Sequence, residues 1–279
     1  REIPLAWNVW GLGKIIENFS PTHIHISTEG PLGLAARYWC KRRQYKYTTG
    51  YHTKFPEYLA LHFKLPIRIG YAFMRWFHKH SKCVLVTTPT MQKELESRKF
   101  DNLVVWSRGV DGQLFSPRLR QVLPWKFPVL LCVSRLSQEK NLEEFCQLRT
   151  PGTLVLIGDG PHRSKLQSLY PHVEFLGYKH GIELAAYYAS ADVFVFPSRT
   201  DTFGVVMLEA MSCGTPIAAH PVTGPCDVVT HGISGILHEN LELAIDQALC
   251  LDRQIVHNAS KDFSWEGCTD VFEKCLTAI

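Results

Sequence analysis

Two cations five residues apart, Arg135 and Lys140 in Ser134-Arg135-Leu136-Ser137-Gln138-Glu139-Lys140-Asn141, suit a diphosphate. Arginine grips phosphate bidentately, lysine acts as a point charge, and a following helix N-terminus adds its dipole. A solvated turn with a salt bridge reads the same way. Gly158-Asp159-Gly160-Pro161 holds two glycines that let backbone approach a ligand closely, or that simply make a turn. In Pro197-Ser198-Arg199-Thr200-Asp201-Thr202-Phe203-Gly204-Val205-Val206-Met207-Leu208-Glu209-Ala210, Asp201 precedes an expected helix and Glu209 lies inside it. Their spacing is about two helical turns, so both carboxylates can face one cleft and accept pairs of hydroxyl bonds. The alternative is an N-cap aspartate and an unrelated glutamate. Gly204 leaves backbone N–H groups open to an anion or a sugar oxygen. Met211-Ser212-Cys213-Gly214-Thr215-Pro216 reads as a helix end with a C-cap glycine.

The elements that must hold these loops are legible. Apolar runs recur at Val129–Val133, Thr153–Ile157, Val173–Leu176, Val193–Phe196, Pro216–Ala219 and Gly235–Leu237. Between them lie the helical patterns Asn141–Leu148, His162–Leu169, Ile182–Ser190, Val205–Ser212 and Leu241–Leu251. Strands without polar alternation are buried on both faces, and alternation with helices implies a parallel sheet of Rossmann type. Ligands bind such sheets outside the carboxyl ends of the strands. The first half repeats the theme less regularly. His23–Ser27, Tyr45–Thr49, Cys83–Thr87 and Leu103–Trp106 read as strands, while Leu32–Arg43, Glu57–His80 (interrupted at Pro66) and Thr90–Arg98 read as helices. Ser264 is a candidate cap for a closing helix, Ser264–Leu276.

Composition narrows the class. At 279 residues and 46% hydrophobic content, the chain is globular and long enough for two domains. The net charge of +4 hides an asymmetry: residues 1–126 hold 20 Lys+Arg against 8 Asp+Glu, and residues 127–279 hold 10 against 18. The change of sign supports a boundary near Gln121–Phe127, where Pro117, Pro124 and Pro128 punctuate the chain. The expected domains are 1–122, 127–260, and a C-terminal helix in 261–279 that crosses back to the first. Nine scattered cysteines without a Cys-x-x-Cys argue against a zinc site or disulfide framework and for free thiols in a reducing cytosol. No apolar run approaches a bilayer span of about 20 residues, and no signal peptide is legible.

Taken together, Ser-Arg-Leu-x-x-Glu-Lys-Asn, Gly-Asp-Gly-Pro, Phe-Gly-x-x-x-x-Glu-Ala and Cys-Gly-Thr-Pro over about residues 127–260 resemble family 4 retaining glycosyltransferases of the GT-B fold. In the first half, Thr28-Glu29-Gly30-Pro31-Leu32-Gly33, Tyr51-His52-Thr53-Lys54-Phe55-Pro56-Glu57-Tyr58 and Trp106-Ser107-Arg108-Gly109-Val110-Asp111 look like a bacterial branch often named alpha-mannosyltransferases. The resemblance implies an α/β protein with two Rossmann-like domains facing across a cleft. It implies transfer of a hexose, mannose first, from a nucleotide-sugar to a lipid or glycan acceptor. Retention and metal independence come from the resemblance.

The resemblance also assigns roles. Arg135 and Lys140 match the residues that neutralise the diphosphate, and Glu209 matches the carboxylate that binds the ribose. Asp201 stands where the family usually has Glu, one methylene longer, and should bind hexose hydroxyls. Thr202, Phe203, Gly204 and Val205 should present backbone to the sugar or its phosphate, beside Gly158, Asp159 and Gly160. Tyr178 should lie beside the base. His52 matches a histidine that reaches the transferred sugar, with Glu29 and Gly30 on the acceptor side. His23 and His25 read as core or strand-edge residues, with no metal site. Arg108 replaces a usual Asn. The family's opening strand and glycine-rich loop find no match, so the first domain is expected to be incomplete and to start inside the fold.

Between Leu34 and Lys82 lie 11 Lys+Arg, one acidic residue and 12 aromatics, among them Trp39, Tyr58, Phe63, Tyr71, Phe73, Trp76 and Phe77. Such a stretch suits an anionic membrane surface, or a core with solvated charges; single-stranded nucleic acid is the remote option and no nucleic-acid partner is expected. The expectation is a cytoplasmic protein, peripheral on the inner face of the membrane where the basic stretch meets lipid rather than solvent. GDP-mannose leads as donor, UDP-glucose second; no cofactor is implied. A non-catalytic nucleotide-sugar or lipid-binding module, and a GT-B epimerase or phosphorylase, are the rival readings.

Overall fold

The computed structural model describes residues 8–276 and 278; the side chains of Tyr58, Leu61, His62 and Phe63 lie outside the described set. The chain divides into two units. One ends at Ser107 and resumes at Cys268; the other is Arg108–Gly267.

The first unit carries α1 (Leu12–Phe19), β1 (His25–Ile26), α2 (Pro31–Arg43), β2 (Thr48–Tyr51), α3 (Phe55–Phe63), α4 (Ile67–His78), β3 (Val84–Val86), α5 (Pro89–Ser97) and β4 (Leu103–Val105). Its sheet is parallel, in the order β1-β2-β3-β4. Tyr51, Tyr71, Met74, Val84, Val86, Met91, Leu95 and Phe100 form one core cluster; Ile26, Cys40, Tyr47 and Phe77 form another.

The second unit carries β5 (Val129–Val133), α6 (Leu142–Cys146), β6 (Thr153–Ile157), α7 (Arg163–Leu169), β7 (Glu174–Gly177), α8 (Gly181–Ser190), β8 (Val193–Phe196), α9 (Val205–Ser212), β9 (Ile217–Ala219), α10 (Pro225–Val228), β10 (Gly235–Leu237), α11 (Leu241–Ala248) and α12 (Arg253–Ala259). Here α13 (Trp265–Cys275) begins, with Ser264 Oγ accepting from the Gly267 N–H at 3.1 Å. The six parallel strands run β10-β9-β8-β5-β6-β7. Alternate residues of the central strands enter different cores. Val129, Leu131, Phe194 and Phe196 face one, while Leu130, Cys132, Val193 and Val195 face the other. This two-sided burial is why the strands lack polar alternation.

Three differences from the sequence reading have physical causes. The expected strand Tyr45–Thr49 moves to Thr48–Tyr51, because Gln44 (φ 58°) ends α2 left-handed and Tyr45 N–H closes it onto Cys40 O at 2.9 Å. The expected helix Glu57–His80 is two helices. Lys64 turns left-handed, and Pro66 excludes the helical conformation from the residue before it. The unit boundary falls at Ser107, ahead of the proline-rich segment. Residues just after it belong to the second core: Phe115 packs on Tyr188 (5.8 Å between centroids), its carbonyl accepts from Ser212 Oγ at 2.6 Å, and Val110 N–H bonds Phe263 O at 3.1 Å. The last residues, from Cys268, group with the first unit. Helices α1, α10 and α12 carried no signal strong enough to be read.

None of the nine cysteines forms a disulfide; six are buried, and Cys226 and Cys250 are exposed. Burial pushes the Cys40 thiol up to about 11 and those of Cys146 and Cys213 to about 12. Iodoacetamide at neutral pH should therefore alkylate Cys226 and Cys250 in the native protein and spare Cys40, Cys146 and Cys213 until unfolding, as read by peptide mass mapping. Equal labelling of all of these would contradict the packing.

Candidate active site

In the second unit the chain leaves β5 for β6 and β7 on one side, then returns to β8 on the other. The crevice outside the carboxyl ends of β5 and β8 is thus a topological switch point, where open parallel sheets bind ligands. The loops after these two strands carry Lys140 and Asp201, which meet: Lys140 Nζ lies 2.5 Å from Asp201 Oδ1, with side chains 24% and 21% exposed. Two further bonds join the loops, from Thr200 Oγ1 to Glu139 O at 3.3 Å and from Asn141 Nδ2 to Pro197 O at 3.1 Å. Asp201 Oδ2 is buried with no hydrogen-bond partner, so half of this carboxylate remains to be satisfied. Arg135 is exposed where β5 ends.

The helix after β5 is shorter than expected, five residues instead of Asn141–Leu148, and is preceded by a 3-10 turn, Gln138–Lys140. Asn141 supplies the left-handed kink between them (φ 53°). The dipole assigned to this helix is correspondingly weak. The longer α9 offers the better one: Gly204 at its start has φ 88° and no side chain caps its first turn. A Cβ on Gly204 would lie 2.8 Å from Met207 Cε and 3.0 Å from Phe196 Cζ. Phe203 is buried against Phe263, so it can offer only backbone to a ligand, while Val205 is exposed and Thr202 half-buried.

Glu209 sits a turn further along α9, half-buried, and Oε2 accepts the Tyr188 hydroxyl at 2.8 Å. Burial pushes the Glu209 carboxyl above its ordinary value, and the tyrosine bond opposes that only in part. A carboxylate held dry with a single donor is poised to take further hydroxyls.

Gly158 and Gly160 make a tight turn, the second of the two uses the sequence allows. A Cβ at Gly158 (φ 131°) would stand 1.9 Å from Ser134 O, and one at Gly160 2.4 Å from Leu136 O. They let the loop after β6 seat the Arg135 loop, with Leu136 N–H bonding Asp159 O at 3.0 Å. Asp159 completes the turn through Gly160 N–H (2.7 Å) and Arg163 (3.1 Å). Gly158→Ala should cost about 2 kcal/mol of stability from strain and overlap, measured by urea unfolding. A neutral result would mean that the two loops do not pack this way. Tyr178 is 62% exposed and stacks on His180 at 6.0 Å.

Sequence reading missed the loop after β9. A Cβ on Gly224 (φ 95°) would lie 2.9 Å from Asp201 O and 3.2 Å from Phe203 O, so this loop backs the Asp201 segment. Its Gly-Pro dipeptide was the available signal. Missed too was a polar cluster around the buried His220, next to Lys140 in the chain through Asn141. His220 Nε2 lies 3.0 Å from Glu144 Oε2, which also accepts from Asn141, and Arg199 approaches Glu144 Oε1 at 3.7 Å.

In the first unit, His52 directly follows β2, its ring 5.7 Å from that of Trp106. Glu29 Oε1 faces His78 Nε2 at 3.4 Å in a buried pair, and Gly30 N–H bonds Thr28 Oγ1 at 3.3 Å as α2 begins. His25 Nδ1 pairs with Thr48 Oγ1 at 2.9 Å; His23 Nδ1 meets Thr22 Oγ1 at 3.0 Å and is exposed. Among the described residues no cluster of His, Cys, Asp and Glu could hold a metal ion, and no helix is long and apolar enough to cross a membrane. In residues 34–82, Tyr47, Tyr51, Tyr71 and Phe77 are core, whereas Tyr38 and Trp76 are exposed.

Two Rossmann-like units, one with charged and acidic loops converging on its switch point, define an α/β protein of the GT-B class. The comparisons place it more closely. Residues 127–251 match the family described as Glycosyl transferases group 1, and residues 1–114 match Glycosyltransferase Family 4. A GDP-mannose-dependent alpha-mannosyltransferase of Mycobacterium tuberculosis is 31% identical over 84% of this chain and 65% of its own length. A sulfoquinovosyl transferase of Arabidopsis thaliana is 32% identical over 79% of this chain and 46% of its own. The chain thus spans less than two thirds of either relative. Among solved structures, a sucrose-phosphate synthase from Thermosynechococcus elongatus superposes with a TM-score of 0.79 at 23% identity, covering 95% of this chain and 75% of that one. Anabaena HepE, in complex with UDP-glucose, gives 0.73 at 18%, covering 95% and 81%. The chain belongs to the group 1, family 4 glycosyltransferases and has the GT-B fold.

Proposed function

We propose that the protein transfers a hexose, mannose first among candidates, from a nucleotide-sugar to a lipid or glycan hydroxyl, with retention. The observation that carries this reading is the pairing of Lys140 with Asp201 at the switch point, with Glu209 on the adjacent helix. Glu209 takes the ribose hydroxyls. Arg135 and Lys140, with the N-terminus of α9, take the diphosphate. Asp201 turns its unsatisfied oxygen to a hexose hydroxyl, and Tyr178 lies beside the base. His52 donates to the transferred hexose, and Glu29 and Gly30 serve the acceptor side.

In the reaction the bond from the anomeric carbon to the β-phosphate oxygen breaks, and its electron pair stays on the phosphate, where the two cations stabilise it. The acceptor oxygen bonds the anomeric carbon on the face the phosphate leaves, and its proton passes to the departing diphosphate. Mannose as the sugar rests on the M. tuberculosis relative's name; HepE, in complex with UDP-glucose, keeps glucose as the second candidate. Incubation with GDP-mannose or UDP-glucose and an extracted lipid fraction should release the nucleoside diphosphate and yield a glycosylated product by mass spectrometry. Donor binding with neither transfer nor hydrolysis would favour the non-catalytic module. Turnover of a hexose phosphate without a nucleotide would favour a phosphorylase.

The exposed Ile69 and Trp76 of α4, beside Arg68, Arg75 and Lys79, support a contact with anionic lipid. Such a protein co-sediments with phosphatidylglycerol vesicles and not with phosphatidylcholine; equal sedimentation with both would remove the electrostatic contact.

A further inference from the structure

Residues 48, 50 and 52 share one face of β2 and its extension, because strand side chains alternate. Thr48 is engaged by His25, Gly50 has no side chain, and the His52 ring lies back along the strand over Gly50. A Cβ built on Gly50 would stand 2.1 Å from His52 Nε2, 2.5 Å from Cε1 and 3.0 Å from Cδ2. No real pair of atoms comes that close, so the imidazole occupies the space a residue-50 side chain would need.

The ring is also held from the side. Trp106, after β4, packs on it at 5.7 Å and is itself fixed by α13: its Nε1 donates to Cys268 O at 2.9 Å, and its ring lies 5.1 Å from that of Phe272. Phe272 in turn meets His25 edge-on at 5.2 Å. A row of rings, His25-Phe272-Trp106-His52, therefore covers the face that Gly50 leaves open. Glycine weakens a strand interior, and here its backbone is not left-handed, so conformation does not demand it. Room for the imidazole does.

We infer that Gly50 is a positioning residue for His52: with Trp106 it forms the slot that sets the imidazole's position. The inference rests on the reading of His52 as a contact to the transferred hexose, but the seating of the ring can be tested apart from it. The test is a double-mutant cycle on Gly50→Ala and His52→Ala, read first as melting temperature without ligand. Gly50→Ala should lower Tm by about 4 °C or more where His52 is present. In the His52→Ala background it should change Tm little, because the ring it would displace is gone. The double variant remains informative even where Gly50→Ala alone does not fold. An equal loss in both backgrounds, or no loss in either, overturns the slot.

The second readout is hydrolysis of GDP-mannose, followed by release of GDP. Gly50→Ala should reduce kcat about 10²-fold with KM held, as His52→Ala does, and the double variant should be no worse. Full activity in Gly50→Ala beside a defective His52→Ala overturns the inference. Coupled melting temperatures beside full activity in His52→Ala leave the slot standing and refute the hexose contact instead.

Discussion

Lys140→Ala lowers kcat/KM for the donor by about 10²–10³-fold, the range expected when one preorganised charge on a leaving group is removed. The geometry argues for an effect of this size because Lys140 is held in place. Its ammonium is fixed on Asp201 at 2.5 Å, and its loop is tied to the loop after β8 by Thr200 and Asn141. Little reorganisation is needed when phosphate arrives. The same substitution leaves the Asp201 carboxylate, one oxygen of which is already unsatisfied, without its cation. Both side chains keep partial contact with solvent, so the accompanying loss of stability is modest, about 1 kcal/mol. Steady-state kinetics and urea unfolding on the same preparation separate the two. Wild-type kinetics in a folded Lys140→Ala protein would remove this residue from the site.

Glu209→Ala weakens binding of a nucleoside diphosphate by about 10²-fold, the worth of two charge-assisted hydroxyl bonds once part of their strength is discounted. It also strands the Tyr188 hydroxyl, which is buried and has Glu209 as its acceptor. Glu209→Gln is more discriminating. Burial raises the Glu209 carboxyl above its ordinary value, so at neutral pH the ionised form is a cost to the folded state, and stability rises as pH falls through that raised value toward the ordinary one. The amide removes the cost and still accepts from Tyr188. Glu209→Gln should therefore hold or raise Tm at neutral pH while lowering nucleotide affinity. Affinity itself has the opposite pH sign to stability, because the ribose needs the ionised acceptor. The wild-type dissociation constant should rise about tenfold per pH unit below the raised value, and Glu209→Gln should flatten that dependence. Parallel pH profiles for the two proteins would contradict the assignment.

What could be read without coordinates follows from the burial of the second sheet. Val129–Val133, Thr153–Ile157, Val193–Phe196 and Gly235–Leu237 were read to the residue because each is a short apolar run packed on both faces. The loops that follow them carry chemical signals of their own. The first unit was blurred where helix ends and strand starts share residues. Tyr45 has the β-forming side chain of a strand but serves as the residue that closes α2. The proline-rich segment reads as a domain boundary because punctuation is all the sequence displays there; Phe115 packing on Tyr188 is a non-local fact. What a glycine makes room for is likewise a non-local fact. Gly158 and Gly160 mark a close approach, but of the Arg135 loop, and Gly50 marks the approach of a side chain two residues away. Glu144 and His220 escaped notice because their partnership joins elements far apart in the chain.

The central claim is that the switch-point crevice of the second unit binds the nucleotide part of a sugar donor through Lys140 and Glu209. Calorimetric titration of GDP, UDP and ADP into the wild-type and Glu209→Ala proteins tests it most directly. The account predicts saturable single-site binding of at least one nucleotide, weakened about 10²-fold in the variant with the fold intact. Absence of binding by all three, or equal affinity in both proteins, would contradict it.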